Sequence, residues 1–323
     1  MSFTLDELTA ASELVHRWVP PTPQYQWPLL ADAVGTDVWV KHENHTPTGA
    51  FKVRGGLVYM DRLRRERPDV NGVVSATRGN HGQSLAFAGR AHHIGVTIVV
   101  PHGNSPDKNA AMRGFGAEVI EHGRDFQEAR EHSVLLAEQR GLEAVPAYHP
   151  DLVLGVATYA RELFDAVSGL DVVYVPVGMG SGISGLIGVR DLLGLSTEIV
   201  GVVAERAPAT ALSFAGGKPV STDSADTFVD GVACRTPDAD AIATITAGAA
   251  RIMQISEAAA ADAMRTLLSC THNVPEPAGA LALAGALAER ADLRGRRVAV
   301  IHSGGNVDAE MLQTVLEGRT PTV

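Results

Sequence analysis

The sequence predicts an α/β protein made of two three-layer α/β domains with mostly parallel sheets. Three observations lead there. From about residue 37 onward, apolar runs rich in β-branched residues alternate with segments of helical period, the order produced when crossover helices join parallel strands. Several of these runs are apolar at every position, which suits strands covered by helices on both faces. The length, 323 residues, exceeds the roughly 100 to 200 residues of a usual domain, so one large unit or two units sharing a cleft are both possible.

Taken in order, Thr4 and Glu7 have the spacing of a capping box and open a helix. Strands are expected at 38–40, 73–74, 96–100, 118–120, 172–177, 199–204 and 297–301. Arg62 to Arg67 is a basic run, but it contains Glu66 and stops at Pro68, and it reads as the solvated end of a helix. Ser105-Pro106 has the form of an N-cap followed by proline at the first helical position, and Gly141 ends the helix that begins near Asp125. Residues 70–149 repeat strand and helix three times and form a small inserted domain, leaving 1–69 and 150–323 to the large one. Between Gly216 and Asp240, Gly, Pro, Ser and Asp dominate without a period. An ordered, irregular segment facing the active site or a partner subunit is expected there.

Composition removes several functions. Lys plus Arg (27) against Asp plus Glu (37) gives a net charge of −10, which repels nucleic-acid backbones and anionic membrane surfaces. Cys234 and Cys270 have neither a disulfide-framework nor a metal-ligand spacing, as suits a reducing compartment. The N-terminus has no signal-like apolar stretch, and no run approaches the roughly 18 apolar residues of a spanning helix. A cytoplasmic location follows.

Four strand-to-turn segments carry chemistry. In 171–185 a strand runs into Gly178-Met179-Gly180-Ser181-Gly182 and then a helix; backbone N–H groups and the helix dipole there favour a phosphate. The same segment fits the dinucleotide fingerprint through Gly180, Gly182 and Gly185, with Glu205 placed for a ribose. A nicotinamide-dependent dehydrogenase is therefore the competing reading. Lys52 opens a helix between apolar Phe51 and Val53, and both burial and a helix N-terminus lower an ammonium's pKa, so it has the setting of a Schiff-base nucleophile or of an exposed helix lysine. Thr77-Arg78-Gly79-Asn80-His81 lead from a strand into a helix start suited to a carboxylate, although His81 also fits a helix cap. Ser303-Gly304-Gly305-Asn306 closes the last strand with a hydroxyl able to meet a ring nitrogen, or forms a plain turn.

Together these segments resemble the fold-type II pyridoxal-phosphate enzymes, the architecture of the tryptophan synthase β subunit, in their threonine/serine dehydratase and serine racemase branch. The similarity runs from about residue 20 to 310. Thr48-Gly49-Ala50-Phe51-Lys52-Val53-Arg54-Gly55 resembles the family's lysine motif, Gly79-Asn80-His81 its substrate and ring loop, Gly178 to Ser181 its phosphate loop, and Ser303 to Asn306 its pyridine-nitrogen motif. The resemblance implies pyridoxal 5'-phosphate bound through Lys52. Asn80 lies at the ring hydroxyl, Thr77 to His81 at the substrate carboxylate, and Gly231 and Glu276 beside the cofactor. It implies loss of a β-hydroxyl from a small amino acid, threonine or serine by default, giving a 2-oxo acid and ammonia. Phenylserine or another bulky or acidic β-hydroxy amino acid is the alternative, with racemisation the other reaction of the branch. A single phosphate at the glycine loop leaves Glu205 without a ribose and sets the dehydrogenase reading aside.

Three departures from the family pattern bear on this expectation. The loop reads Gly-Met-Gly-Ser where four glycines are common, tolerable if Met179 keeps a negative φ. Arg78 stands where the racemase has a second acid/base serine, which argues against racemisation; it either reads the substrate or points outward into an ion pair. Glu205 matches one acidic metal ligand of the branch, but Ala211 takes the place of the second, so no metal is expected. About 20 residues follow Ser303, too few for a regulatory domain, which fits a catabolic role. A homodimer is expected.

Overall fold

The computed structural model describes residues 3–322. One sheet has six strands in the order β1 (Gln24–Gln26), β2 (Val38–His42), β10 (Val298–His302), β7 (Val172–Pro176), β8 (Glu198–Ala204) and β9 (Arg251–Ile255). All are parallel except β1, which pairs antiparallel with β2. The other sheet is wholly parallel: β5 (Glu118–Glu121), β4 (Gly95–Val100), β3 (Gly72–Ala76) and β6 (Glu143–Ala144).

Each expected strand is present. The three not foreseen have physical reasons for their silence. Strand β1 reads Gln-Tyr-Gln and has no apolar alternation, β6 has only two residues, and β9 mixes Arg251 and Gln254 into its apolar positions. The capping box at Thr4 and Glu7 forms, Ser105 caps α5 (Pro106–Gly114), and Gly141 ends α6 (Phe126–Arg140) in the left-handed region.

Helix α12 (Pro277–Ala288) is apolar nearly all round because it is buried against one face of the six-stranded sheet, among Tyr174, Val200 and Val202. Helices α7 (Pro150–Ala166) and α8 (Ser181–Leu192) cover the other face. The four-stranded sheet packs Val73 and Ile98 against Leu85 of α4 (Asn80–His92) and against Val53, Leu57 and Met60 of α3 (Lys52–Glu66). Helix α3 thus lies between the two sheets. It crosses α7 very closely, since a Cβ on Gly155 would sit 2.2 Å from the Arg54 carbonyl oxygen. The basic run ends α3 at the surface, where Arg62 pairs with Glu66 and Asp151.

Parallel strands bring their C-terminal ends to one edge. Strand β10 lies between β2 and β7, with His302 opposite His42 and Val298 opposite Val172. The Lys52, Gly178 and Ser303 segments therefore leave neighbouring strand ends, while β3 delivers Thr77 to His81 from the other sheet, the position where open α/β sheets place their ligands.

Candidate active site

The Lys52 segment is held from both sides. Phe51 N donates to Ser303 O at 3.0 Å, and Gly305 N donates to Gly49 O at 2.9 Å, so the lysine turn and the Ser303 turn are bonded to each other. Lys52 is the first residue of α3, and its Nζ lies 5.0 Å from the Phe51 ring centre. Burial lowers its pKa, while Glu276 works in the opposite direction.

Lys52, His81 and Ser181 line one small, partly open cavity, which joins three of the motifs. His81 follows Asn80 at the start of α4; its Nε2 is buried without a hydrogen-bond partner among the described residues. Burial, and then the nearby Lys52, push its pKa down to about 3, so it is a neutral imidazole. It is not the satisfied helix cap that the sequence also allowed.

The glycine loop opens α8. Gly180 is its N-cap with φ 101°, and a Cβ there would also stand 3.0 Å from Ala241 Cβ. The left-handed turn falls on Gly180 and not on Met179, whose Sδ lies 3.5 Å from Cys234 Sγ. A Cβ on Gly178 would come 2.7 Å from Gly231 O, so Gly231 abuts the loop. Tyr159 Oη supports the loop from below by donating to Gly182 O at 3.1 Å.

Asn80 and Glu276 meet directly. Asn80 Nδ2 donates to both Glu276 oxygens, at 2.8 and 2.9 Å, and Asn80 Oδ1 accepts from Asn306 Nδ2 at 2.8 Å. Glu276 is the N-cap of α12 and is buried; burial, and then the charge of Asp230, push its pKa up to about 7. Gly304 makes room for it, since a Cβ there would stand 2.4 Å from Glu276 Oε1. Ser303 is buried at the end of β10. Thr77 Oγ1 accepts from Gly79 N at 3.3 Å. Arg78 is exposed and forms no ion pair among the described residues, so the outward ion pair that the sequence offered as one choice is not formed.

Several contributors were not foreseen. Lys108 of α5 pairs with Asp230, and its side chain covers Gly79. Beneath Lys52, the guanidinium of fully buried Arg54 grips Glu43 (Nε to Oε2, 2.7 Å) and Glu162 (Nη1 to Oε1, 2.6 Å), while Lys41 Nζ reaches Glu162 Oε2 at 2.6 Å. Arg54 stood in the lysine motif, but its partners come from β2's exit and from α7. Glu205 opens on a surface pocket with Asp223 and Asp226, away from Lys52; among the described residues no three His, Cys, Asp or Glu side chains converge to hold a metal.

The donor set suits a phosphorylated aldehyde. A helix N-terminus with a close-approach glycine loop fits its phosphate, a half-buried lysine with a lowered pKa fits its aldehyde, and the imidazole lining the same pocket has a nitrogen without a partner among the described residues.

Known proteins agree with this geometry. The chain is 31% identical over 323 residues to an L-threo-3-hydroxyaspartate ammonia-lyase of Saccharomyces cerevisiae, covering 99% of each. It is 31% identical over 314 residues to an L-threonine ammonia-lyase of Thermotoga maritima, covering 97% of this chain and 78% of that one. The processed form of tomato (Solanum lycopersicum) threonine deaminase isoform 2 superposes with a TM-score of 0.90 at 28% identity, covering 98% of this chain and 94% of that one. Maize serine racemase also gives 0.90, at 25% identity with 98% of each chain covered. Residues 15–304 match the sequence model of one family, whose cofactor is the one this cavity suits. The chain belongs to the pyridoxal-phosphate dependent enzymes.

Proposed function

We propose that this chain is an ammonia-lyase that removes the β-hydroxyl and the amino group of a β-hydroxy amino acid, leaving a 2-oxo acid. The observation that carries the reading is the cavity shared by Lys52, His81 and Ser181 at the starts of α3, α4 and α8. Pyridoxal phosphate, when bound, supplies an electron sink for the broken Cα–H bond. The chain supplies the rest. Burial favours the free-base amine of Lys52, the form that accepts the α-proton. N–H groups of Gly178 to Gly182 and the α8 dipole hold the phosphate, with Gly231 closing that side. The α4 start, through Thr77, Gly79, Asn80 and His81, holds the substrate carboxylate. Asn80 and Glu276 form the polar wall at the ring hydroxyl, and Ser303 offers the ring nitrogen a neutral hydroxyl in place of a carboxylate. Arg78, exposed, is left out of this assignment.

Threonine or serine is the preferred substrate class. Asp230 acts on Glu276, and the nearby cation Lys108 is already paired with Asp230, a setting that favours a neutral β-substituent. An acidic substrate is the second reading, favoured by the relatives named for 3-hydroxyaspartate, from yeast and from a Pseudomonas species. The proposed unit boundaries, 70–149 against the remainder, are supported by the placement of all strands of the four-stranded sheet between residues 72 and 144. A cytoplasmic homodimer completes the proposal.

The test is 2-oxo acid release from L-threonine, L-serine, L-threo-3-hydroxyaspartate and L-phenylserine, with Lys52→Ala as control. Release by the wild-type chain and none by the variant supports the reading. Equal turnover by Lys52→Ala, or no release from any of the four, overturns it.

A further inference from the structure

Two amide side chains connect a backbone carbonyl to the buried carboxyl of Glu276. Asn306 Nδ2 donates to Thr48 O at 2.8 Å and to Asn80 Oδ1 at 2.8 Å, and Asn80 Nδ2 then donates to Glu276. The two ends of an amide are not equivalent, since its nitrogen only donates and its oxygen only accepts. The Thr48 carbonyl also only accepts, so the NH2 of Asn306 must face it. With that NH2 shared by Asn80, the Asn80 oxygen must turn to Asn306 and its NH2 to Glu276.

Glu276 alone cannot set this direction. A carboxylate accepts, but a protonated carboxyl also donates, and a group whose pKa is about 7 populates both forms near neutrality. The Thr48 carbonyl has no such ambiguity. Gly49 permits the arrangement: its φ is 68°, and a Cβ there would lie 2.5 Å from Asn306 Oδ1.

We infer that Asn306 is a positioning residue that fixes the direction of the Asn80 amide, so that Asn80 remains a donor toward Glu276 and the cofactor side whichever form Glu276 takes. The inference rests on the proposed reading of Asn80 as a cofactor contact. Besides Asn80, the groups acting on Glu276 are Asp230, Lys108 and Lys52, and none of them is altered in the variants below.

Two measurements on the purified enzyme test it. In protein labelled with 15N only at asparagine, the Asn80 side-chain signals, identified by their loss in Asn80→Asp, should remain two distinct, non-exchanging protons between pH 6 and 8.5. In Asn306→Ala they should broaden or exchange as the pH falls below about 7. The dissociation constant of pyridoxal phosphate should change less than twofold across that range in the wild type and at least fivefold in Asn306→Ala, weaker at the acid end. Asn306→Asp, which has no N–H to offer, should bind weakly at both ends. Wild-type affinity with a flat profile in both variants overturns the inference. So does reorientation of the Asn80 amide with pH in the wild type, a result that needs no variant to fold. If the wild type binds no pyridoxal phosphate, the reading of Asn80 as a cofactor contact fails, while the wild-type amide signals still decide the role of Asn306.

Discussion

Lys108 and Asp230 form an ion pair close enough to Glu276 for both charges to act on it, joining α5 beside the four-stranded sheet to the irregular segment that follows the six-stranded sheet's β8. The Lys108 stem lies over Gly79, where an added Cβ would be 3.1 Å from Lys108 Cδ. A second tie lies nearby, Ser105 Oγ donating to Asp308 Oδ1 at 2.6 Å.

Breaking the first tie should therefore act on substrate capture. Lys108→Met is expected to raise KM by about five- to twentyfold, equivalent to ~1–2 kcal/mol, with a smaller change in kcat. Steady-state kinetics check this. The charge-exchanged pair Lys108→Asp with Asp230→Lys should recover part of the loss, and identical kinetics for the single variant and the wild type would remove the tie from the binding step.

Arg54 should be a stability hot point. Arg54→Met leaves Glu43 and Glu162 facing one another with only Lys41 between the charges, and such uncompensated burial costs about 3–5 kcal/mol. Arg54→Lys keeps the charge but loses the fork, and should fall in between. Urea unfolding of the three proteins gives the order; a lysine variant less stable than the methionine variant would contradict the charge argument.

Glu276 makes stability depend on pH in a defined direction. Its folded pKa, raised to about 7 from 4.5, means that the unfolded chain gives up this proton first as pH increases. The contribution is therefore fully present below about pH 4.5 and is lost as pH climbs toward 7, a loss on the order of 3 kcal/mol. Glu276→Gln should flatten that part of the curve in cofactor-free protein. Denaturant midpoints at pH 5 and 8 measure it, and an equal fall in both proteins would place the dependence elsewhere.

Gly180→Ala tests the phosphate loop. The left-handed backbone and the 3.0 Å approach to Ala241 leave no unstrained place for a methyl group. Cofactor affinity should drop about tenfold or more, matching ~1–3 kcal/mol of local strain. Fluorescence titration with pyridoxal phosphate reads it directly, and unchanged affinity would show that the loop does not grip the phosphate.

The parts legible in the sequence were those with local causes. Gly178 to Ser181 and Gly79 to His81 announce strand-to-helix turns through glycine and small polar residues, and the long Val-rich strands announce themselves by composition. What stayed hidden depends on distant partners. Nothing near Lys108 points to Asp230, 122 positions later, and nothing near Arg54 points to Glu162, 108 positions later. Asn306 was visible as the last residue of a turn motif, but its task depends on Thr48 and Asn80, which lie far from it in the chain. Arg78 shows the opposite limit: its motif position allowed a ligand contact or an outward ion pair, and the structure gives it exposure without an ion pair among the described residues.

The Arg54 cluster also constrains the order of events during synthesis. A ribosome that has released the chain only to about residue 150 has supplied Lys41, Glu43 and Arg54, two cations for one anion, and Glu162 is still to come. Until α7 arrives, sequestering that guanidinium is unfavourable, so the early portion has reason to stay hydrated and loosely organised. A fragment of the first 69 residues should accordingly be a poor independent module, and a nascent chain would commit to its mature packing late and all at once.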